Sequence, residues 1–453
     1  MRIFAMQTHQ RVSFADFILL HEGDDSVRLL LSRDKLRDQF PGIDIDLAVT
    51  TLEVRRKLRN KVPEWYSVPS LIYPFRLSGE QCSSSETAKY KAFVAARLRS
   101  EGILSETVAS RPLPPQAVGP SLLSGRGWPE VSDSIPSLLR VADLTGGMGV
   151  DAWAFSQIAG EVLYNEMNEE LEKATKLNFN GLGIENVRFR NDRVEVGKVA
   201  EVLGEFQPDV IFLDPARRAE DGRKVFLIEE CQPDVVGLLP ELFAASRFVM
   251  LKLSPMADIT MACKRLEHVK EVHVVASGGE CKELLFVLDR EWSGAYSLFV
   301  VEGGAVMVIP GQAGNDGSDV RYGVPKEGDI LFEPGKALAK AGAFSLPCGR
   351  FGMTKLGIHT HLYTSETVPE GLEPFGKWFE VSAVWPLNNR TMKEAGKRCP
   401  QAEVTARNIP MTSDQLRKKV GCASGGDVHL FGVRIDADGG AGNYLIETKR
   451  IDK

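Results

Sequence analysis

Three short blocks of this chain hold side chains whose types and spacing suit chemistry at one carbon or nitrogen centre. The first is DVIFLDPARR (209–218), a buried-strand pattern that stops at Asp214-Pro215-Ala216-Arg217-Arg218. A strand-ending Asp214 can accept a hydrogen bond from a substrate amine and so aim its lone pair, with Pro215 fixing φ and stiffening the turn. Arg217 and Arg218 suit a substrate phosphate or carboxylate held in bidentate fashion. Lys252, near the end of the strand RFVMLKL, is a further candidate for holding substrate.

The second block is VADLTGGMGVDAWAF (141–155), a strand entering a helix through Thr145, Gly146, Gly147 and Gly149. Glycines there permit torsions and close approach that a side chain would block, and a helix start presents free N–H groups. Gly147-x-Gly149-x-x-Ala152 fits a dinucleotide fingerprint, and Glu166 in LYNEMN stands where an acid would meet a ribose hydroxyl. The third block, FRND, ends the next strand at Asp192. On these residues two adenosine cofactors remain open, a nicotinamide dinucleotide and S-adenosyl-L-methionine.

Positioning these groups requires a parallel sheet. Short apolar runs (SLLRVADL, EVLYNE, NVRFRND, DVIFLD, RFVMLKL) are separated by helix-length stretches, and EVHVVAS and ELLFVLD are close enough to form a hairpin. Strand–helix repetition predicts right-handed crossovers, and the final hairpin places one antiparallel strand in the sheet.

With those elements in place, residues 138 to 290 resemble a class I S-adenosylmethionine-dependent methyltransferase. The resemblance rests on Asp143 before Thr145-Gly146-Gly147-Met148-Gly149, Glu166 after strand two, Asp192 after strand three, the Asp214-Pro215-Ala216-Arg217 box after strand four, and the closing hairpin. Two departures stand out: Thr145 replaces a glycine and Ala216 replaces a second proline. The resemblance implies S-adenosyl-L-methionine as cofactor. Asp143, Thr145, Gly146, Gly147 and Gly149 would hold its methionine end, Glu166 and Met167 its ribose side, and Asp192 its adenine. Asp214 would border both cofactor and substrate, with Pro215 beside it in the catalytic turn. A cysteine nucleophile for carbon methylation is missing after LKLSP, where Ser254 and Pro255 stand. Attack by a base nitrogen needs none, and guanine N2 is the first choice by similarity.

Residues 350 to 453 resemble the THUMP-like domain that follows methyltransferase cores in some bacterial proteins, on AEVTARN (402–408) and Gly425-Gly426-Asp427. That implies tRNA or rRNA as partner. The expected fold is therefore α/β: a seven-stranded Rossmann-like methyltransferase sheet, a helical N-terminal domain and a C-terminal α+β domain. The expected division is 1–130 helical, 131–292 methyltransferase core, 293–350 β-rich connection and 351–453 THUMP-like.

Composition bounds the alternatives. The 453 residues are 43% hydrophobic and 26% charged with a net charge of −6, so nucleic-acid contact must use local patches. Two are candidates: 389–419 with eight basic and three acidic residues, and TLEVRRKLRNK (51–61) with five basic and one acidic. In EQCSSSETAKYKA (80–92), Ser84 or Ser85 reads as a helix N-cap and Lys89 and Lys91 as possible RNA contacts. Seven dispersed cysteines without a Cys-x-x-Cys pair argue for a reducing, cytoplasmic setting. No window approaches a membrane span. His359 and His361 alternate on a strand without further ligands nearby, so no metal site is expected. A methyltransferase acting on a small molecule or protein, and an inactive RNA-binding module, remain as alternatives.

Overall fold

The computed structural model describes residues 12–107, 138–217, 228, 231–311, 320–437 and 440–451. Arg218 lies outside the described residues. Backbone contacts divide the chain into two compact units. Of the described residues, the first holds those up to 269 and 285–293, and the second 270–284 and those from 294 onward.

Seven helices open the first unit: α1 (Phe14–Leu20), α2 (Ser26–Leu31), α3 (Arg33–Gln39), α4 (Ile45–Lys61), α5 (Pro63–Tyr66), α6 (Arg76–Gln81) and α7 (Ser85–Thr107). Local chemistry sets their starts. Ser13 and Asp16 form a capping box on α1, and Asp44 accepts the Leu47 N–H at 3.0 Å to cap α4. Ser84 caps α7, its Oγ accepting the Thr87 N–H at 3.2 Å. On α4, Ile45, Ala48, Val49 and Leu52 fall at three and four spacing and face a core with Phe17, Ile18, Leu36 and Phe40.

The sheet strands follow: β1 (Arg140–Asp143), β2 (Glu161–Asn165), β3 (Val187–Arg190), β4 (Val210–Leu213), the short ribbon β5 (Ala216–Arg217) and β6 (Cys231–Gln232), then β7 (Phe248–Leu253), β8 (Val269–Ser277) and β9 (Glu280–Asp289). Helices α8 (Val150–Ser156), α9 (Glu169–Gly181), α10 (Val199–Leu203), α11 (Val235–Ala245) and α12 (Ile259–Arg265) lie between them in the chain. Every residue of β4 is buried, as expected of a parallel strand covered on both faces. β1 pairs in parallel with both β2 and β4. The chain builds outward from β1 through β2 to β3, then returns to β4. The strand order thus reverses at β1, so the carboxyl ends of β1 and β4 are the topological switch point, where doubly wound sheets hold their ligands.

Two more strands extend the sheet beyond the seven expected. β10 (Ser297–Glu302) and β11 (Ala305–Pro310) give the order β11-β10-β8-β9-β7-β4-β1-β2-β3. The runs YSLFVV and AVMVIP, expected in a connection, therefore belong to the sheet, with β10 parallel to β8. Gly278-Gly279 and Gly303-Gly304 turn the β8–β9 and β10–β11 hairpins with positive φ at both positions of each pair.

The second unit also contains β12 (Ile330–Pro334), α13 (Lys336–Lys340), α14 (Leu346–Gly349), β13 (Thr354–Lys355), β14 (Tyr363–Ser365), β15 (Gly376–Pro386), α15 (Asn389–Arg398), β16 (Glu403–Arg407), α16 (Ser413–Val420), β17 (Val428–Ala437) and β18 (Gly440–Arg450). β12 to β18 form a second sheet in the order β13-β14-β12-β15-β18-β17-β16. Met392 and Ala395 of α15 and Leu416 and Val420 of α16 share one core with Leu430 and Leu445. Gly396 lets the two helices approach closely, since a Cβ there would sit 2.0 Å from the Val420 carbonyl oxygen.

Candidate active site

The carboxyl ends of β1, β2 and β4 bring most of the expected residues together. The glycine turn is built from below by a side chain: Tyr164, at 0% exposure, donates from its hydroxyl to the Gly147 carbonyl at 2.6 Å. Its ring explains Gly146, because a Cβ there would lie 2.1 Å from Tyr164 Cε2. Gly147 and Gly149 adopt φ +54° and +88°, and a Cβ on Gly149 would meet Thr175 at 2.6 Å. The Gly147 N–H donates to Glu166 Oε2 at 2.9 Å, and the Asn168 N–H to Glu166 Oε1 at 2.9 Å.

Thr145, which stands in place of a glycine, has a structural duty. Its Oγ1 accepts the Asp214 N–H at 2.6 Å, which ties the turn after β1 to the end of β4. Asp214 in turn forms an ion pair with Lys252 on β7, Nζ to Oδ2 at 2.5 Å. Pro215 is buried and Ala216 exposed, and Arg217 pairs with Cys231 in the β5–β6 ribbon.

Asp143 is the unusual acid. It is 1% exposed, and Oδ1 accepts the Thr145 N–H at 3.2 Å. Its Oδ2 is buried with no hydrogen-bond partner. Burial pushes its carboxyl well above the usual carboxylate range, and the negative charges of Asp151, Asp214 and Glu166 push the same way.

Asn165 was not singled out by sequence, although it precedes Glu166 directly. Its buried amide donates to the Leu144 carbonyl at 3.1 Å and the Asp192 carbonyl at 3.0 Å, and its Oδ1 accepts the Asp192 N–H at 2.9 Å. One side chain thus joins the ends of β1, β2 and β3. Asp192 itself accepts from Arg190 Nε at 2.9 Å. Met167 is 61% exposed, a large apolar surface beside Glu166.

One expectation is corrected. Lys91 is fully buried and cannot reach an RNA backbone, whereas Lys89 reaches Glu64 at 2.6 Å. In the 51–61 segment Arg55 is buried and paired with Glu22, and Lys57 is paired with Glu80. Arg56, Lys57 and Arg59 of that run are exposed. His361 stacks on Phe344 with ring centroids 3.7 Å apart. A cavity of about 340 Å³ opens at the opposite, amino-terminal strand edge, but its Glu161 is occupied by Arg140 and Arg188.

Comparison with known proteins now has a geometry to meet. The crystal structure of a protein from Porphyromonas gingivalis W83, described as a candidate methyltransferase, is 27% identical over 99% of this chain and 100% of that one, with a TM-score of 0.75. Residues 376–450 match a THUMP domain-like family, and 331–371 a ferredoxin-like domain. The chain has a class I methyltransferase fold and ends in a THUMP-like domain. TrmN from Thermus thermophilus is 21% identical over 33% of this chain and 43% of its own, with a TM-score of 0.26. An rRNA methylase from Streptococcus thermophilus is 12% identical over 34% of this chain and 88% of its own, also at 0.26. No curated protein matches the sequence.

Within this methyltransferase fold, no helix among the described residues is long and apolar enough to cross a membrane. None of the seven cysteines is in a disulfide.

Proposed function

We propose that this protein transfers a methyl group from S-adenosyl-L-methionine to a base nitrogen, guanine N2 first, in tRNA or rRNA. The observation that carries the cofactor is the buried, partnerless Asp143 Oδ2 beside a turn from which glycines exclude side chains. A buried acid without a donor is costly, and a ligand ammonium would satisfy it. Glu166 already accepts two backbone N–H groups. A carboxylate has about four acceptor sites, so it retains capacity for ribose hydroxyls. Met167 offers an apolar face, and Asp192 an acceptor for an exocyclic amine.

The cofactor supplies an activated methyl group on a sulfonium. The chain's own task is then alignment. Lys252 fixes the Asp214 carboxylate through Oδ2 and leaves Oδ1 to accept an N–H from the target nitrogen. Thr145 holds the Asp214 backbone, so the cofactor turn and the substrate acid move as one piece. Pro215 stiffens that corner, while Arg217 and Arg218 are proposed to meet substrate phosphate.

Support for RNA comes from the THUMP-like domain. On α15 and α16, Glu394 is taken by Arg390 and Asp414 by Arg417. Lys393, Lys397, Lys418 and Lys419 are exposed and form no ion pair among the described residues. Such lysines suit phosphate neutralisation.

The test is labelled cofactor incubated with total RNA from a strain lacking the protein. Label should enter RNA with the wild type and be lost with Asp214→Ala, while cofactor affinity stays within a few fold. Label entering protein or small molecules alone would overturn the RNA reading. Cofactor failing to bind would leave only an inactive module.

A further inference from the structure

We propose that Lys91 of the helical region is a positioning residue of the cofactor site: it holds the Asp151 carboxylate in the first turn of α8 and so limits how strongly that charge bears on Asp143. The inference rests on the cofactor reading above.

Three contacts carry it. The Lys91 ammonium lies 3.1 Å from Asp151 Oδ1. It also donates to Ser83 Oγ at 3.1 Å, and that hydroxyl donates to Asp151 Oδ2 at 2.8 Å. Lys91 is 0% exposed and Asp151 8% exposed, so water does little to screen the pair. Asp151 follows Gly149 by two residues. The helices before residue 108 therefore reach the glycine turn through a charged, water-poor contact. Aromatic packing reinforces it, with Trp65 edge-on to both Trp153 of α8 and Phe179 of α9. Asn178 of α9 adds a reciprocal pair of hydrogen bonds to the Ile72 backbone, each 2.8 Å.

The electrostatic surroundings of Asp143 come from several elements. Asp151 faces it from α8, Asp214 from the end of β4, Glu166 from the end of β2, and the Tyr164 hydroxyl from below. Lys252 is bound to Asp214. Cys82, in the turn before α7, lies within electrostatic reach of Asp151, Lys61 and Lys252, and its burial raises its thiol. After burial, Asp151 is the largest of the influences that raise the Asp143 carboxyl. Lys91 is placed to offset that influence at its source. An ionised Asp143 is the form that receives a ligand ammonium, so affinity should rise with pH through the Asp143 titration.

The test measures S-adenosylhomocysteine binding to the full-length protein by calorimetry across the pH range in which the protein stays folded. In the wild type, affinity should climb to a midpoint set by Asp143. In Lys91→Met, that midpoint should move up by about one unit and affinity below the midpoint fall about tenfold. The double variant Lys91→Met/Asp151→Asn should bring the midpoint back to the wild-type value or below it and recover the affinity. A folded Lys91→Met protein with an unmoved midpoint overturns the inference, even if its melting temperature drops. So does a double variant that keeps the shifted midpoint. Breaking one side of a buried pair is strongly destabilising. If Lys91→Met fails to fold, Asp151→Asn decides: a midpoint that moves down supports the inference, because the lost Asp151 charge and the released Lys91 charge both favour an ionised Asp143, and an unmoved midpoint overturns it. A wild type that binds no S-adenosylhomocysteine sinks the cofactor reading and the inference with it.

Discussion

Asp143 and Asp214 stand at the ends of hydrogen-bonded neighbours, β1 and β4, yet they are in opposite states. Asp143 is buried with one oxygen unsatisfied. Asp214 keeps 35% of its side chain exposed and already has a cation, Lys252. The difference separates two tasks. On the proposed function, an acid with one oxygen unsatisfied takes a positive group from a ligand, and an acid with its cation in place is held in a fixed orientation. Thr145 ties them together: its N–H donates to Asp143 Oδ1, and its Oγ1 accepts the Asp214 N–H.

The largest effect should come from Asp143→Asn. Losing the charge should weaken S-adenosylhomocysteine binding about 100-fold, the scale of one buried charge-assisted hydrogen bond. The same change should stabilise the ligand-free protein at alkaline pH. Because the folded carboxyl titrates above its unfolded value, the unfolded chain releases that proton first as pH rises. Stability contributed by the protonated form is therefore lost as pH climbs from the ordinary carboxylate range through the raised value. Asp143→Asn should flatten that decline and raise the alkaline melting temperature by about 2–4 °C. A variant that binds normally, or melts lower at alkaline pH, would erase the distinction between the two acids.

Lys252→Met probes the other acid. Freed from its partner, Asp214 should lose orientation, and methyl transfer should slow about 10- to 100-fold with cofactor affinity nearly unchanged. Pre-steady-state methyl transfer and cofactor titration separate the two quantities. An equal loss in both would mean that Lys252 supports the cofactor rather than Asp214.

Both acids were legible in sequence, because VADLTGGMGV and DVIFLDPARR pair a strand pattern with an abrupt polar stop. The glycines were legible for the same reason. What they avoid was not: Tyr164 reads as one more apolar strand residue, and only tertiary packing puts its ring under Gly146. Asn165 and Lys91 were missed or misread because their partners lie far along the chain. A count of charges cannot tell a solvated lysine from one sealed against an aspartate. Likewise, the apolar runs after residue 294 announced strands, but no period states which sheet a strand will join.

Asn165→Ala should have an intermediate effect. It removes the side chain that joins the ends of β1, β2 and β3 and leaves buried backbone groups unpaired, at a cost of about 1–3 kcal/mol. Cofactor affinity should drop about tenfold, since both Glu166 and Asp192 lose their shared brace, and Asp214 should be spared. Thermal melts and calorimetry read these separately. A loss of transfer rate at saturating cofactor, with affinity intact, would place Asn165 on the Asp214 side.

The smallest effects should lie in the basic runs, where the contrast between paired and unpaired charge recurs. Lys418→Gln and Lys419→Gln remove exposed charges that have no ion-pair partner among the described residues. Each should weaken RNA binding a few fold and reduce the slope of log affinity against log salt by about 0.7–0.9. Cofactor binding should not change. Lys57→Gln, by contrast, removes a charge that Glu80 already neutralises, so the salt slope should stay where it is. If Lys57→Gln flattens the slope and the α16 substitutions do not, then RNA engages the helical region and the ion pairs there open on binding.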